Sequence, residues 1–169
     1  MAETKSSSNL KGLHVLAVDD EQDILDTIEE VLDEAQVDRA KDYDSASQKL
    51  KETKYDLAIL DIMGVNGLVL LAEAVERGIP TVMLTAHSLN PASLKASILK
   101  GALSYLPKEE LAKLDEFISE VLETHKSGGS TWKLLSKRLG NFFDRAFGQD
   151  WTTDDQSFWN YYYSYGRHD

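Results

Sequence analysis

Short apolar runs alternate with longer amphipathic stretches through the first 125 residues of this 169-residue chain. Leu13–Val18 (LHVLAV), Val37–Ala40, Leu57–Leu60, Pro80–Leu84 (PTVML) and Leu103–Leu106 read as strands. Between them, Glu21–Ala35, Ser45–Thr53, Gly67–Arg77, Pro91–Lys100 and Glu109–Glu123 read as helices. In the first of these, Ile24, Leu25, Ile28, Val31, Leu32 and Ala35 repeat at the spacing of one helical face. Gly78 and Gly101 close two helices, and Asp44 or Ser45 is the expected cap of the second. Five βα units of this length predict a parallel sheet with helices on both faces and right-handed crossovers. Strands buried on both faces are apolar throughout rather than alternating, as LAIL and TVML are.

Ligands of such sheets sit at the carboxyl ends of the strands, so the residues just past each strand are the ones to inspect. Asp19 and Asp20 follow the first strand and Asp61 the third; Thr85 follows the fourth, and Pro107 and Lys108 follow the fifth. Carboxylates gathered on one edge repel and raise one another's pKa unless a cation neutralises them, and Mg²⁺ is the hard ion that suits carboxylates, water and phosphate oxygens. A carboxylate beside such a cation, faced by an ammonium and a hydroxyl, has the makings of a nucleophile for phosphorus. Singly these residues say little. Asp19 and Asp20 could merely start a helix, and Asp61 could be a loop acid. Lys108 at the start of a predicted helix opposes the macrodipole, a local rule-breaking that marks function.

Together the residues resemble the response-regulator receiver family of two-component signalling over residues 13 to about 124. The acidic pair matches Asp19 and Asp20 in VLAVDDE, the phospho-acceptor Asp61 in LAILDIM, and the switch hydroxyl Thr85 in VMLTAH. The switch aromatic and the lysine match Tyr105 and Lys108 in SYLPKEEL. The resemblance implies a flavodoxin-like, doubly wound α/β fold. It also implies Mg²⁺ held by Asp19, Asp20, Asp61 and the backbone carbonyl of Met63, and a phosphoryl donor that is a histidine kinase or a phosphotransfer protein. The chain departs from the pattern after the acceptor. The family usually carries a proline four residues on and a glycine eight on; here Asp61-Ile-Met-Gly-Val-Asn-Gly67 has no proline, and the glycine comes two residues early. Glu109 stands where the family often has a proline after the lysine, so a trans bond is expected there. Two rivals follow: a phosphate-independent pseudo-receiver scaffold, and an aspartate-dependent phosphatase. The second usually needs an Asp where Met63 stands. Beyond phosphoryl self-transfer and its reversal by hydrolysis, no enzymatic activity is expected. His14, His125 and His168 lack metal spacing and read as structural or exposed, while His87, two residues past Thr85, is expected to shape access to the site.

The cysteine-free chain has a polar start at residues 1–11, without a signal peptide's apolar run, and no apolar stretch long enough to span a membrane; a cytoplasmic protein is expected. Residues 1–125 hold 12 basic and 24 acidic residues, a net −12, which repels nucleic acid and attracts divalent cations or basic partners. After a joint at residues 126–130 (KSGGS) the composition changes: 11 of the 15 aromatics lie beyond residue 125. Thr131–Gly148 reads as an amphipathic helix with Trp132, Leu135, Leu139, Phe142, Phe143, Ala146 and Phe147 in one stripe. That stripe could pack on its own receiver or on a second copy; it could also fill a partner's groove, the expected output contact, or lie on a membrane surface. Residues 149–169 show no helical period and are expected to order only when bound. Direct DNA binding is not expected, since one good helix makes no helix-turn-helix.

Overall fold

The computed structural model describes residues 9–86 and 89–164, apart from the side chains of residues 163 and 164. Five parallel strands form a single sheet in the order β2-β1-β3-β4-β5: β1 His14–Val18, β2 Gln36–Ala40, β3 Leu57–Asp61, β4 Thr81–Thr85 and β5 Ser104–Pro107. Helices α1 (Gln22–Val31), α2 (Tyr43–Glu52), α3 (Gly67–Glu76), α4 (Pro91–Leu99) and α5 (Leu114–Lys126) connect and follow the strands. This is the doubly wound five-stranded α/β fold that the alternation predicted. The central strands β3 and β4 are buried at every position, as continuous apolar runs require. The amphipathic spacing of α1 puts Leu25 and Ile28 into the core.

Local departures from the sequence reading have physical reasons. Helix α1 stops at Val31, not Ala35; Leu32 leaves helical geometry, and a turn carries the chain to Gln36, where pairing with β1 begins. The cap of α2 is Asp42, whose carboxylate accepts the Ser45 N–H at 2.8 Å. This starts the helix before both Asp44 and Ser45. The stretch after β5 is divided, with a 3₁₀ turn at Lys108–Lys113 and then α5. The Lys108–Glu109 bond is trans.

The C-terminal region is helical. Ser130 accepts the Lys133 N–H and starts α6 (Thr131–Phe147), which packs against β5 and α5. Within its stripe Leu135, Leu139 and Phe143 are buried, and Trp132, Phe142 and Phe147 are half-buried against the same core. In this structure the stripe packs on its own receiver, one of the readings that the periodicity left open. A helix tethered by four residues past α5 meets its own receiver at a high effective concentration. The stretch beyond, expected to lack regular structure, holds a 3₁₀ turn (Thr153–Asp155), a short helix α7 (Gln156–Trp159) and a π turn (Asn160–Ser164) in its described part. Trp151 and Trp159 are buried there, so apolar burial replaces the missing helical period as the ordering force. Among the described residues no helix is long and apolar enough to cross a membrane.

Candidate functional site

Strand register sets the candidate residues side by side. Val18 of β1 is opposite Leu60 of β3, so Asp19 emerges beside Asp61. Asp61 is opposite Leu84 of β4, so Thr85 lies one residue further out. Thr85 is opposite Pro107 of β5, and Lys108 follows. Asp61 and Thr85 thus end their strands, and Asp19 and Lys108 follow directly on theirs.

Lys108 draws the acids together. Its ammonium lies 2.8 Å from Asp19 Oδ2, 3.1 Å from Glu21 Oε1 and 3.2 Å from Asp61 Oδ1. These three carboxylates explain why lysine begins the 3₁₀ turn: their charge outweighs an unfavourable position at a short turn's start. Asp19 is fully buried, and its Oδ1 accepts the Glu21 N–H at 2.9 Å. Asp19 therefore fixes the turn into α1 rather than serving as the helix cap. Apart from its ion pair with Lys108, Asp19 Oδ2 has no hydrogen-bond partner among the described residues. Burial, then the nearby Asp19 charge, push the Asp61 carboxyl up to about 6 against the pull of Lys108. Burial likewise raises the Asp19 carboxyl. Lys108 is raised too, because the hydrogen bonds and charges of Asp19, Asp61 and Glu21 together outweigh its desolvation.

Oxygens of Asp19, Asp20 and Glu21 lie within 4.8 Å of one another. A hard divalent cation fits this donor set, since three carboxylates converge there and Lys108 pairs with two of them, Asp19 and Glu21. Glu21 is the residue that sequence reasoning passed over, although it completes the run Asp19-Asp20-Glu21. Asp61 joins the group through Lys108. The shortened loop after β3 folds closely against the acids. Gly64 has φ +86°, and a Cβ there would come within 2.5 Å of Asp20 Oδ2. Gly67 lies so close to the Asp61 backbone that a Cβ would fall 1.9 Å from its carbonyl oxygen. Its own N–H donates to the Ile62 carbonyl at 3.0 Å. Two glycines thus accomplish the turn without the family's proline. Met63 is 54% exposed in this loop.

Thr85 is buried, and its Oγ1 has no hydrogen-bond partner among the described residues. Burial raises the Tyr105 phenol above its ordinary value, against smaller lowering contributions from Ser93, the Asn90 backbone and Thr85. Tyr105 is fully buried in β5, its hydroxyl 2.7 Å from Ser93 Oγ of α4 and its ring 5.9 Å from that of Phe143. His14 is structural: its Nε2 pairs with Asp38 at 3.0 Å and its ring meets Tyr55 edge-on. His125 ends α5. His87 and His168 lie outside the described residues.

Residues 15–120 match the model of the response regulator receiver domain. The chain belongs to that family. Among curated proteins, this response regulator is 36% identical over 104 residues to the two-component response regulator ARR12 of Arabidopsis thaliana, covering 57% of this chain and 17% of that protein. It is 37% identical over 113 residues to the phosphate regulon transcriptional regulatory protein PhoB of Klebsiella pneumoniae, covering 59% of this chain and 49% of the relative. The chain therefore spans less than half the length of either relative. Among solved structures, NtrX from Brucella abortus superposes with a TM-score of 0.61 at 30% identity, over 69% of this chain and 28% of that one. A CheY-like receiver domain protein from Methanospirillum hungatei superposes at 0.58 with 23% identity, over 69% and 99% of the two chains, and supports the fold.

Proposed function

We propose that this receiver accepts a phosphoryl group on Asp61 from a phosphohistidine of a histidine kinase or phosphotransfer protein, or from a small acyl phosphate. The observation that carries the reading is the Asp61 carboxylate itself: buried at a strand end, 3.2 Å from the Lys108 ammonium, with the buried Thr85 hydroxyl, which has no hydrogen-bond partner among the described residues, on the next strand. An Asp61 oxygen attacks phosphorus and forms a P–O bond while the P–N bond to the donor imidazole breaks. The electron pair leaves with the imidazole. Lys108 turns from Asp61 to the incoming phosphoryl oxygens, and the Thr85 hydroxyl donates to another of them. Hydrolysis reverses the state: water attacks phosphorus, inorganic phosphate departs and the Asp61 carboxylate is restored. Asp19 and Asp20, with Asp61, Glu21 and the Met63 carbonyl as further donors, would hold Mg²⁺, which supplies positive charge to the transferring group when bound.

Intact mass after incubation with acetyl phosphate and Mg²⁺ tests this. Wild type gains one phosphoryl group, and Asp61→Asn gains none. Absence of labelling in wild type would instead favour a phosphate-independent scaffold, the reading to which the short Gly64–Gly67 loop lends support. Rapid turnover of acetyl phosphate without accumulation would favour a phosphatase.

A further inference from the structure

A lysine ammonium has three N–H donors, and the ammonium of Lys108 meets three carboxylates. Asp19 Oδ2 lies at 2.8 Å, Glu21 Oε1 at 3.1 Å and Asp61 Oδ1 at 3.2 Å, so every donor already has a partner. The three partners differ in what their release costs. Asp19 is fully buried, and apart from Lys108 its Oδ2 has no partner among the described residues; release would strand a buried charge. Asp61 is buried too. The Glu21 side chain is 52% exposed, so water can take the place of Lys108 around its carboxylate.

Glu21 also breaks a local rule. It is the N-cap residue of α1, with extended backbone at φ −97° and ψ 116°, yet its side chain makes no capping hydrogen bond. Only its backbone carbonyl serves the helix, accepting the Ile24 and Leu25 N–H groups. A shorter Asp, Asn or Ser at such a position accepts from the helix's free N–H groups with its side chain. Glutamate forgoes that stabilisation, and its carboxylate accepts instead from Lys108, 87 positions along the chain.

We propose that Glu21 is a positioning residue for phosphoryl transfer: an exposed carboxylate that holds one donor of Lys108 in the resting state and yields it to a phosphoryl oxygen. This role depends on Asp61 being the acceptor. With Asp19 too costly to release, Lys108 serves the phosphoryl oxygens by leaving Asp61, Glu21 or both. Glu21 therefore competes with the phosphoryl group for Lys108, and the competition weakens the hold of the site on that group. Reach decides the contact as much as charge does. An aspartate at position 21 is one methylene shorter; it keeps the charge, gains the cap of α1 and gives up Lys108.

The full chain is titrated with beryllofluoride and read by fluorine NMR, with Mg²⁺ saturating in every variant so that any share Glu21 has in holding the metal drops out. Urea unfolding in EDTA and intact mass with acetyl phosphate are measured alongside. Wild type is compared with Glu21→Gln, which keeps the length and removes the charge, and with Glu21→Asp, which keeps the charge and shortens the reach. Affinity for beryllofluoride rises in both variants by roughly two- to fivefold, the weight of one half-exposed ion pair. Glu21→Asp is at least as stable as wild type, because aspartate caps α1. A rise in Glu21→Gln alone reduces the effect to net charge and overturns the contact with Lys108. Affinities that follow urea stability across the variants make Glu21 a structural residue and overturn the proposal. A wild type that gains a phosphoryl group, with variants that bind beryllofluoride no more tightly, overturns the role of Glu21 and leaves the acceptor intact. A wild type that neither gains mass nor binds beryllofluoride overturns the acceptor and the role of Glu21 together.

Discussion

Burial and the adjacent Asp19 hold the Asp61 carboxyl at about 6, and this sets a direction for stability as well as for chemistry. The folded chain binds more protons than the unfolded one between the ordinary carboxylate range and pH 6. Stability contributed by this group is therefore present at low pH and is lost as pH rises through that window, by roughly 2–3 kcal/mol. Asp26, Asp38, Asp42 and Glu73, all lowered by hydrogen bonds, act in the opposite sense and mask the effect in wild type alone. The difference between Asp61→Asn and wild type isolates it. Thermal melts in EDTA should show the Asn variant gaining on wild type from pH 4 to pH 6, with the gap narrowing when Mg²⁺ is added. A gap independent of pH would mean that Asp61 is not raised. At this scale the sequence was informative: residue type and place after each strand named Asp19, Asp20, Asp61, Thr85 and Lys108. Glu21 was not legible, because its reach to Lys108 depends on the turn that Asp19 fixes.

The loop from β3 to α3 is where the elements constrain the site most tightly. Gly67 sits against the Asp61 carbonyl, and Asn66 before it adopts the left-handed conformation, φ 53°. A side chain at position 67 must push the Asp61 backbone or the start of α3 aside. Gly67→Ala should cost about 1–3 kcal/mol or more in urea unfolding and slow phosphoryl labelling, whereas Gly78→Ala, which meets open space, should lose only the smaller cost of its positive φ and label normally. Equal labelling by the two variants would separate the loop from the chemistry. Asp42→Ala removes the α2 cap and should cost about 1 kcal/mol by the same assay. Element existence was legible from apolar periodicity, since each strand and helix carries its own pattern. Element ends were less so. The stop of α1 at Val31 and the 3₁₀ turn at Lys108–Lys113 answer to sheet register and to the Lys108 ion pairs, which are tertiary facts.

The acidic receiver and its basic, aromatic continuation form one packed body. The aromatic stripe of α6 was visible in the sequence, but its docking partner was not. Periodicity identifies a face that needs covering and is silent on what covers it. Burial of Leu135 and Leu139 is worth roughly 1.5–3 kcal/mol each, enough to hold a helix that is marginal in water alone. Leu135→Ala and Leu139→Ala should thus release residues 131–164 before the sheet opens. Hydrogen exchange should show protection falling in α6 and α7 while β1, β3 and β4 keep theirs. Uniform loss across the sheet would make the tail part of the receiver's core instead of a separable occupant.

The claim that bears most weight is that Asp61 becomes an acyl phosphate. Borohydride reduction of the acetyl phosphate-treated chain, followed by peptide mass spectrometry, locates such a group directly, because an aspartyl phosphate is reduced to an alcohol at the modified residue and a free carboxylate is not. Reduction should appear in the peptide carrying Asp61 and disappear when Mg²⁺ is replaced by EDTA. Reduction at Asp19 or Asp20, or at no residue despite a phosphoryl mass gain, would contradict the account.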